Sequence, residues 1–541
     1  MFCFVLEKKI LTFFFSPFSL FFFSYQVATT NESKPHLTST VKEVKSYTWQ
    51  EVAKHNTAES CWVSLKGKVY DVTEFLPRHP GGKEILLLSA GRECTDLFNS
   101  YHWRTLDKST SYLSQFEIGT LSGPTEHPVF APDTQDLYGK LSKRIKQYFE
   151  ETKKEPKQLW PGVWRVVLQI VIGLVSFVAS MNYLSWAAPL FSHFGFTQAA
   201  TFCLSPSPLP FWAQCIAAIV YGIFQVMPLL HAMHDASHTA IGPNEMYWKF
   251  LGRLTHDWYV GGSMISWHHQ HIIGHHQYTN VFLADPDIPY RVDGDLRRIV
   301  GDQSWIGVYK WQWLYLPMLY AFLALKVRVS DVTDTWLART SGPMRVNFYD
   351  SVFVRIFLVK GSWIFWRTVL PLLYLPITWQ KYWALWLITE FTSGLWLAWN
   401  FEVSHLAPEA YFPETMTGEE VVLSASSKGE KKSTQTAVKY APGQKVVPKS
   451  WIVTQIESSV DYAHDAPLTT WWCGALNYQI EHHLFPGISQ YHYPALAPIV
   501  KEFCKENNIR YNYEPTFVAA WMKHVKLLVE MGQKGFAYKW D

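Results

Sequence analysis

The chain has 541 residues, 48 Lys and Arg against 45 Asp and Glu, and a formal net charge of +3; so even a balance excludes general nucleic-acid binding, which draws on a strong basic excess. Aromatic residues reach 16% and charged residues only 17%, below the ~25% of soluble domains, which excludes whole-chain disorder and favours a membrane interface, where rings with polar tips are satisfied. Seven cysteines (3, 61, 94, 203, 215, 473 and 504), odd in number and without paired spacing, exclude a disulfide scaffold and read as reduced thiols.

Ile10 to Ala28 is an apolar stretch of 19 residues behind Lys8 and Lys9. It reads either as a signal peptide or signal anchor or, in its Phe-rich part Phe13 to Gln26, as a translated intron end, so residues 1–45 form an N-terminal segment of undecided status. Residues 46–121 read as a soluble α+β module, with a β-type run Val69-Tyr-Asp-Val-Thr and a turn Leu76-Pro-Arg-His-Pro-Gly-Gly that opens a helix. Residues 122–160 form a connector. Within it Leu137, Leu141, Ile145 and Phe149 recur at helical spacing among Lys and Glu, which predicts an amphipathic helix lying near a membrane surface.

Residues 161–541 change character. Val166 to Trp186 and Pro210 to Leu230 are each 21 residues without a formal charge, long enough to cross ~30 Å of hydrocarbon. Trp311 to Leu325, 15 residues broken by Pro317, is too short for a straight crossing and reads as interfacial or re-entrant. Gly361 to Trp379 carries Arg367 and Tyr382 to Asn400 carries Glu390; such charges are tolerated facing a bundle interior. The pattern predicts an α-helical membrane protein with four crossings in two hairpins. Residues 415–450, poor in large apolar side chains, read as a mobile loop, and the tail after Gly487 as soluble.

Two constellations carry chemistry. In the α+β module, His79 stands in His-Pro-Gly-Gly and His102 follows 23 residues later. Two axial imidazoles leave a haem iron no open position, so such a site passes electrons. With Tyr47-Thr-Trp, His55-Asn, Cys61-Trp-Val, Val69-Tyr-Asp-Val-Thr-Glu-Phe and Ser89-Ala-Gly-Arg, the module closely resembles cytochrome b5. The resemblance implies haem b held between His79 and His102. Glu84, Glu93 and Asp96 are candidates for a face that docks a reductase.

The second constellation is three histidine clusters: His234-Asp-Ala-Ser-His238, His271-Ile-Ile-Gly-His275-His276 and Gln479-Ile-Glu-His482-His483. On a helix, side chains three or four apart share a face, and many neutral imidazoles suit iron. With an even number of crossings between them, all three clusters face one membrane side, together with the haem module. These boxes resemble those of membrane fatty-acid desaturases. A fused cytochrome b5 and Gln479 in place of a histidine resemble the front-end group. Leu251-Gly-Arg-Leu-Thr-His-Asp, Ala284-Asp-Pro-Asp and Asp461-Tyr-Ala-His-Asp are most similar to its delta-5 branch.

The resemblance implies two non-haem irons, O2 as oxidant and a cis bond inserted in a long polyunsaturated chain on a lipid or acyl-CoA. It also implies electrons from an NADH-cytochrome b5 reductase, and an endoplasmic reticulum membrane with haem and boxes in the cytosol. It maps the metal ligands onto His234, His238, His271, His275, His276, His482 and His483, with His405 at a further ligand position and Gln479 where a histidine is replaced. Asn400 stands five residues before His405, a poor match to an Asn that related enzymes use. His231 and His464 read as hydrogen-bond partners rather than ligands. Delta-4 or delta-6 action, a sphingolipid desaturase, a lipid hydroxylase, and a non-enzymatic haem electron carrier with structural zinc are the alternative readings.

Overall fold

The computed structural model describes residues 45–182, 192–195, 197–198, 209–349, 354–375, 377–417, 420–424 and 435–539. The apolar stretch Ile10 to Ala28 and the end of Val166 to Trp186 beyond 182 lie outside them.

The first folded element group is a five-stranded mixed sheet of β1 (Ser46–Thr48), β2 (Trp62–Leu65), β3 (Lys68–Asp71), β4 (Arg92–Glu93) and β5 (Glu117–Ser122), in the order β1-β5-β3-β2-β4. Thr48 ends β1 and starts the helix Trp49–Val52 through a reciprocal cap: its hydroxyl accepts from the Glu51 N–H, and Glu51 accepts from the Thr48 N–H at 2.7 Å. Val63, Leu65, Tyr70, Leu76, Leu87 and Leu113 bury the space between the sheet and the short helices that follow.

The helix Leu137–Thr152 forms where the periodicity puts it, but its apolar face does not lie on a membrane. Leu137, Leu141, Ile145 and Phe149 are buried against Phe485, Leu496, Val500 and Phe503. The physical reason is a competing apolar face: the helix Tyr493–Glu506 presents Leu496, Val500 and Phe503 and covers it.

Two helices among the described residues are long and apolar enough to cross a membrane: Trp160–Ser180, mean hydropathy 2.0, and the continuous run Phe211–Ser237, mean hydropathy 1.8. The helix Phe211–Pro228 packs against both Trp160–Ser180 and Trp379–Glu402. Gly222 makes the second contact possible, since a Cβ there would sit 2.7 Å from the Thr389 carbonyl. The charges foreseen in the later apolar segments do face inward. Glu390 is fully buried and pairs with Arg328 at 2.5 Å, while Arg367 lies with its guanidinium 4.9 Å from the rings of both Phe177 and Tyr221. Around Pro317, the helix Gln312–Leu319 rests on the C-terminal helix Phe517–Met531, and Gln312 donates to the Leu528 carbonyl at 2.8 Å.

The segment 415–450, expected as a mobile loop, contains strands. Met416–Thr417 pairs with Lys445–Ser450, Glu420–Ser424 pairs with Gln435–Lys439, and Lys445–Ser450 also pairs in parallel with β6 (Val129–Ala131). Val446 and Val447 anchor that end by full burial. Composition undervalued two adjacent β-branched residues with a partner strand more than 300 positions earlier.

The haem-type module is fastened to the rest of the protein by polar contacts at backbone level. The Asn347 amide donates to the Leu87 carbonyl at 3.1 Å, which also accepts from the Ala90 N–H, and to the Ala90 carbonyl at 2.8 Å, just past the end of the helix Lys83–Leu88. Arg345 reaches the carbonyls of Ala53 and Gly91, Arg92 bonds the Arg345 carbonyl, and Glu84 pairs with Lys249 at 2.7 Å. Glu84 is therefore occupied inside the molecule and does not belong to an open reductase-docking face. Removing one donor from buried carbonyls costs about 1–3 kcal/mol. N347A should lower stability by about that amount, read as an earlier thermal loss of haem absorbance, and an unchanged midpoint would show that the junction does not depend on Asn347.

Candidate active site

His79 and His102 face each other across the module with ring centroids 6.4 Å apart. Two metal–imidazole bonds of about 2 Å, plus the half-ring behind each nitrogen, sum to about 6 Å, so an iron fits between them. The His79 Nδ1–H donates to the Gly82 carbonyl at 3.1 Å and the His102 Nδ1–H to the Phe98 carbonyl at 2.8 Å. Both rings thereby turn a bare Nε2 inward. Burial pushes His102 down to about 4 and His79 also below its usual range, which keeps both neutral and able to bind a metal. Gly82 is needed for its left-handed φ of +94° at the start of the helix Lys83–Leu88, and a Cβ there would collide with Glu245.

The three histidine boxes lie on three helical segments that meet. His234 and His238 are one α-turn apart at the end of the run Phe211–Ser237, and the His238 N–H bonds the His234 carbonyl at 3.2 Å. The second box lies on a wider, π-type turn, His268–His275, in which the His276 N–H bonds the carbonyl of His271 five residues back. An α-helix would set residues five apart about 140° from each other; the wider turn puts His271 and His276 on one face, Nε2 to Nε2 at 3.2 Å. The third box is the helix Gln479–Leu484, whose start is fixed by Asp461 accepting from the Ile480 N–H at 2.9 Å. Asp235, inside the first box, accepts from Ser489 at 2.9 Å and from Gln490, tying the first box to the chain just after the third.

Their imidazoles converge in two adjoining groups: His234, His238, His271 and His482 in one, His275, His405 and His483 in the other, with His276 close to both His482 and His483. Within each of these groups the potential ligand atoms lie within 4.8 Å of one another, and all the residues are buried. The Nε2–Nε2 separations are 3.1 Å for His234–His271, 2.9 Å for His276–His482 and 3.3 Å for His275–His405. Gln479 enters the second group, its amide nitrogen 2.9 Å from His405 Nε2 and 3.2 Å from His483 Nε2.

The opposite edges of four of the rings are occupied. His275 Nδ1 meets Asp285 at 3.2 Å, His405 Nδ1 the Ser458 carbonyl at 3.1 Å, His483 Nδ1 the Gln455 carbonyl oxygen at 2.8 Å, and His482 Nδ1 the Tyr493 hydroxyl at 3.2 Å. Where Nδ1 gives its proton to an oxygen, Nε2 is a bare lone pair, and two bare lone pairs near 3.3 Å repel. The donor set thus fits two cations. Burial, then the neighbouring imidazoles, holds His276, His482 and His483 far below the usual histidine range, so their rings are neutral. Burial opposes charge on His275 as well, but Asp285 and Asp287 outweigh it and raise the group to about 8. In a metal-loaded site the same carboxylates polarise the Nδ1–H and strengthen the ligand.

All eight boxed or neighbouring histidines singled out from the sequence are brought together, and Gln479 with them. Asn400 is not: its amide donates to the Trp396 carbonyl of its own helix at 2.7 Å. His231 bonds the Trp471 carbonyl at 2.7 Å and His464 bonds Asp461 at 2.9 Å. The latter supports the anchor of the third box. Sequence reasoning missed Asp285, Gln455, Ser458, Tyr493 and Tyr101, whose hydroxyl lies 2.7 Å from His238 Nδ1. Of these, Asp285 alone lies in a string that resembles the delta-5 branch, Ala284-Asp-Pro-Asp.

Residues 210–515 match the family Fatty acid desaturase, and residues 48–122 match the Cytochrome b5-like Heme/Steroid binding domain. The chain is 36% identical to "Acyl-lipid (8-3)-desaturase B" of Dictyostelium discoideum, over 93% of this chain and 96% of that protein. It is 37% identical to "Delta(5) fatty acid desaturase A" of the same organism, over 90% and 94%. It is 33% identical to "Acyl-lipid (8-3)-desaturase" of Mortierella alpina, over 90% and 97%.

Replacing His238, His275 or His482 with Ala, one at a time, is expected to abolish product and to lower bound iron, with the low-spin haem spectrum intact. H102A should do the reverse, losing the haem spectrum while keeping iron. Normal iron and product in any of the three box variants would contradict the ligand set.

Proposed function

The chain belongs to the fatty acid desaturase family and carries a cytochrome b5-like module, and from that premise we propose that it is a front-end enzyme inserting a cis double bond at carbon 5 of twenty-carbon acyl chains already unsaturated at carbon 8. The observation that carries the reading is the convergence of all three boxes and His405 into one buried cluster beside a docked haem module. The choice of carbon 5 draws on relatives named for (8-3) and Delta(5) action that align over nine-tenths of this chain. Delta-4 action on twenty-two-carbon chains is the competing regiochemistry.

In this reading the helices Trp160–Ser180, Phe211–Ser237 and Trp379–Glu402 and the helical run 354–374 are four crossings in two hairpins. Large apolar residues left uncovered on them support a lipid-facing belt: Trp160 is 72% exposed, Trp212 67%, Leu373 67% and Trp379 64%. Haem and boxes then share the cytosolic side of the endoplasmic reticulum membrane, where an NADH-cytochrome b5 reductase supplies electrons. The acyl chain, carried on a lipid or on CoA, enters from the apolar side.

The histidines divide the work. His234, His238, His271, His275, His276, His405, His482 and His483 would hold two irons, with Gln479 beside the second, and His79 and His102 would hold the haem. When bound, the irons supply the O2 chemistry that removes two hydrogens from adjacent carbons, and the haem supplies electrons. Asp285, Ser458, Gln455 and Tyr493 keep each ring's Nε2 aimed inward, and burial of the cluster excludes bulk water from it. An apolar channel discriminates one methylene by only ~1–3 kcal/mol, so bond position, fixed by the polar end of the substrate, is better defined than chain length.

Cells expressing the protein and fed twenty-carbon tri- or tetraenoic acids with a bond at carbon 8 should accumulate the carbon-5 product, identified by mass spectrometry after derivatisation. A new bond only at carbon 4 or carbon 6 would refute the regiochemistry.

A further inference from the structure

Four of the cluster's rings have their outer nitrogen held by residues of the desaturase part: Asp285, Ser458, Gln455 and Tyr493. His238 differs. Its Nδ1 is met at 2.7 Å by the hydroxyl of Tyr101, from the haem-type module. Its Nε2 is buried without a hydrogen-bond partner and faces the rings of His271, His276 and His482, with centroids 4.5 to 5.0 Å away. Tyr101 is also the immediate chain neighbour of His102.

We propose that Tyr101 is a positioning residue through which the haem module completes the metal site: its phenol oxygen accepts the Nδ1–H of His238, aims Nε2 at the metal, and joins the backbone of the haem ligand to a metal ligand. The inference rests on reading His79 and His102 as haem ligands and His238 as an iron ligand.

The placement of Tyr101 is strongly determined. It ends the helix Thr95–Tyr101, and the His102 N–H continues that helix to the Phe98 carbonyl at 3.0 Å. Next to it, Trp103 packs on Phe149 and Phe485, with centroids 6.0 and 5.8 Å away. Tyr138 donates to the Leu484 carbonyl at 3.0 Å, at the end of the third box, and its hydroxyl also lies 3.5 Å from the Ser100 carbonyl. The end of the haem-ligand helix is therefore clamped to the end of the third-box helix, and the phenol has little freedom to leave His238. A module that merely swung up to deliver electrons would leave the outer edge of His238 to water or to its own domain.

The route is short and covalent except for one hydrogen bond: His102 ring, backbone to Tyr101, phenol oxygen, His238 ring. Each crossing takes one electron from ferrous haem, leaving it ferric, and adds one electron at the cluster. Tyr101 gains and loses no proton. Two crossings, with the two electrons and two protons released from the substrate's two C–H bonds and two further protons from solvent, account for reduction of O2 to two waters. The external donor is a flavin reductase, or dithionite in a test.

The test uses the purified full chain loaded with haem and iron. Its haem is reduced anaerobically with a limiting amount of dithionite, then mixed with O2 and acyl substrate, and haem re-oxidation is followed by absorbance. Loss of a ligand's hydrogen-bond partner typically costs about 10- to 100-fold. Y101F is expected to keep the low-spin haem spectrum and to re-oxidise haem about 10- to 100-fold more slowly, or to bind less iron. Wild-type re-oxidation with wild-type iron in Y101F would overturn the inference. So would loss of the low-spin spectrum, because Tyr101 would then serve the haem fold. Failure of the wild-type protein to take up haem or iron would instead sink the reading beneath it.

Discussion

Eight imidazoles turned toward one another in a buried interior repel unless cations sit among them. Much of the architecture serves to impose that arrangement. The first box ends a long apolar helix, the second occupies a widened turn, and the third starts where Asp461 anchors it. Asp235 then ties the first box to the chain after the third. None of these elements could hold the cluster alone, because each contributes at most three of the rings.

The haem-type module belongs to the same constraint. Asn347, Arg345 and Lys249 fix it by contacts to backbone carbonyls and to Glu84, and the helix that carries His102 is held beside the third box. The junction is polar at its rim and aromatic at its centre, where Trp103, Phe149, Tyr138 and Phe485 pack. That combination sets a fixed orientation where a flexible tether would sample many. Tyr101 is the point at which this orientation touches the chemistry.

The chemistry-bearing residues were legible in the sequence because metal and haem ligands come as clustered histidines with few alternative uses. His79, His102 and the three boxes could be named from their spacing together with the strings that resemble cytochrome b5 and the desaturases. The residues that orient them could not. Asp285, Gln455, Ser458 and Tyr493 each lie in ordinary composition and reach their ring only through the fold. The five-residue step from His271 to His276 was visible, but its meaning depends on a π-type turn that local spacing does not reveal. The helix Leu137–Thr152 was correctly periodic and wrongly partnered, since an amphipathic face does not say whether lipid or Tyr493–Glu506 will cover it. Within 415–450 the strand Lys445–Ser450 pairs with Val129–Ala131, a contact that composition cannot signal.

The most direct test of the account is Mössbauer spectroscopy of the purified, iron-57-enriched protein, with quantitation of bound metal. The account predicts one low-spin haem iron and two non-haem irons per chain, the latter in a nitrogen-rich, magnetically coupled site. A chain that holds haem but carries zinc in the histidine cluster, or binds a single uncoupled iron there, would contradict it.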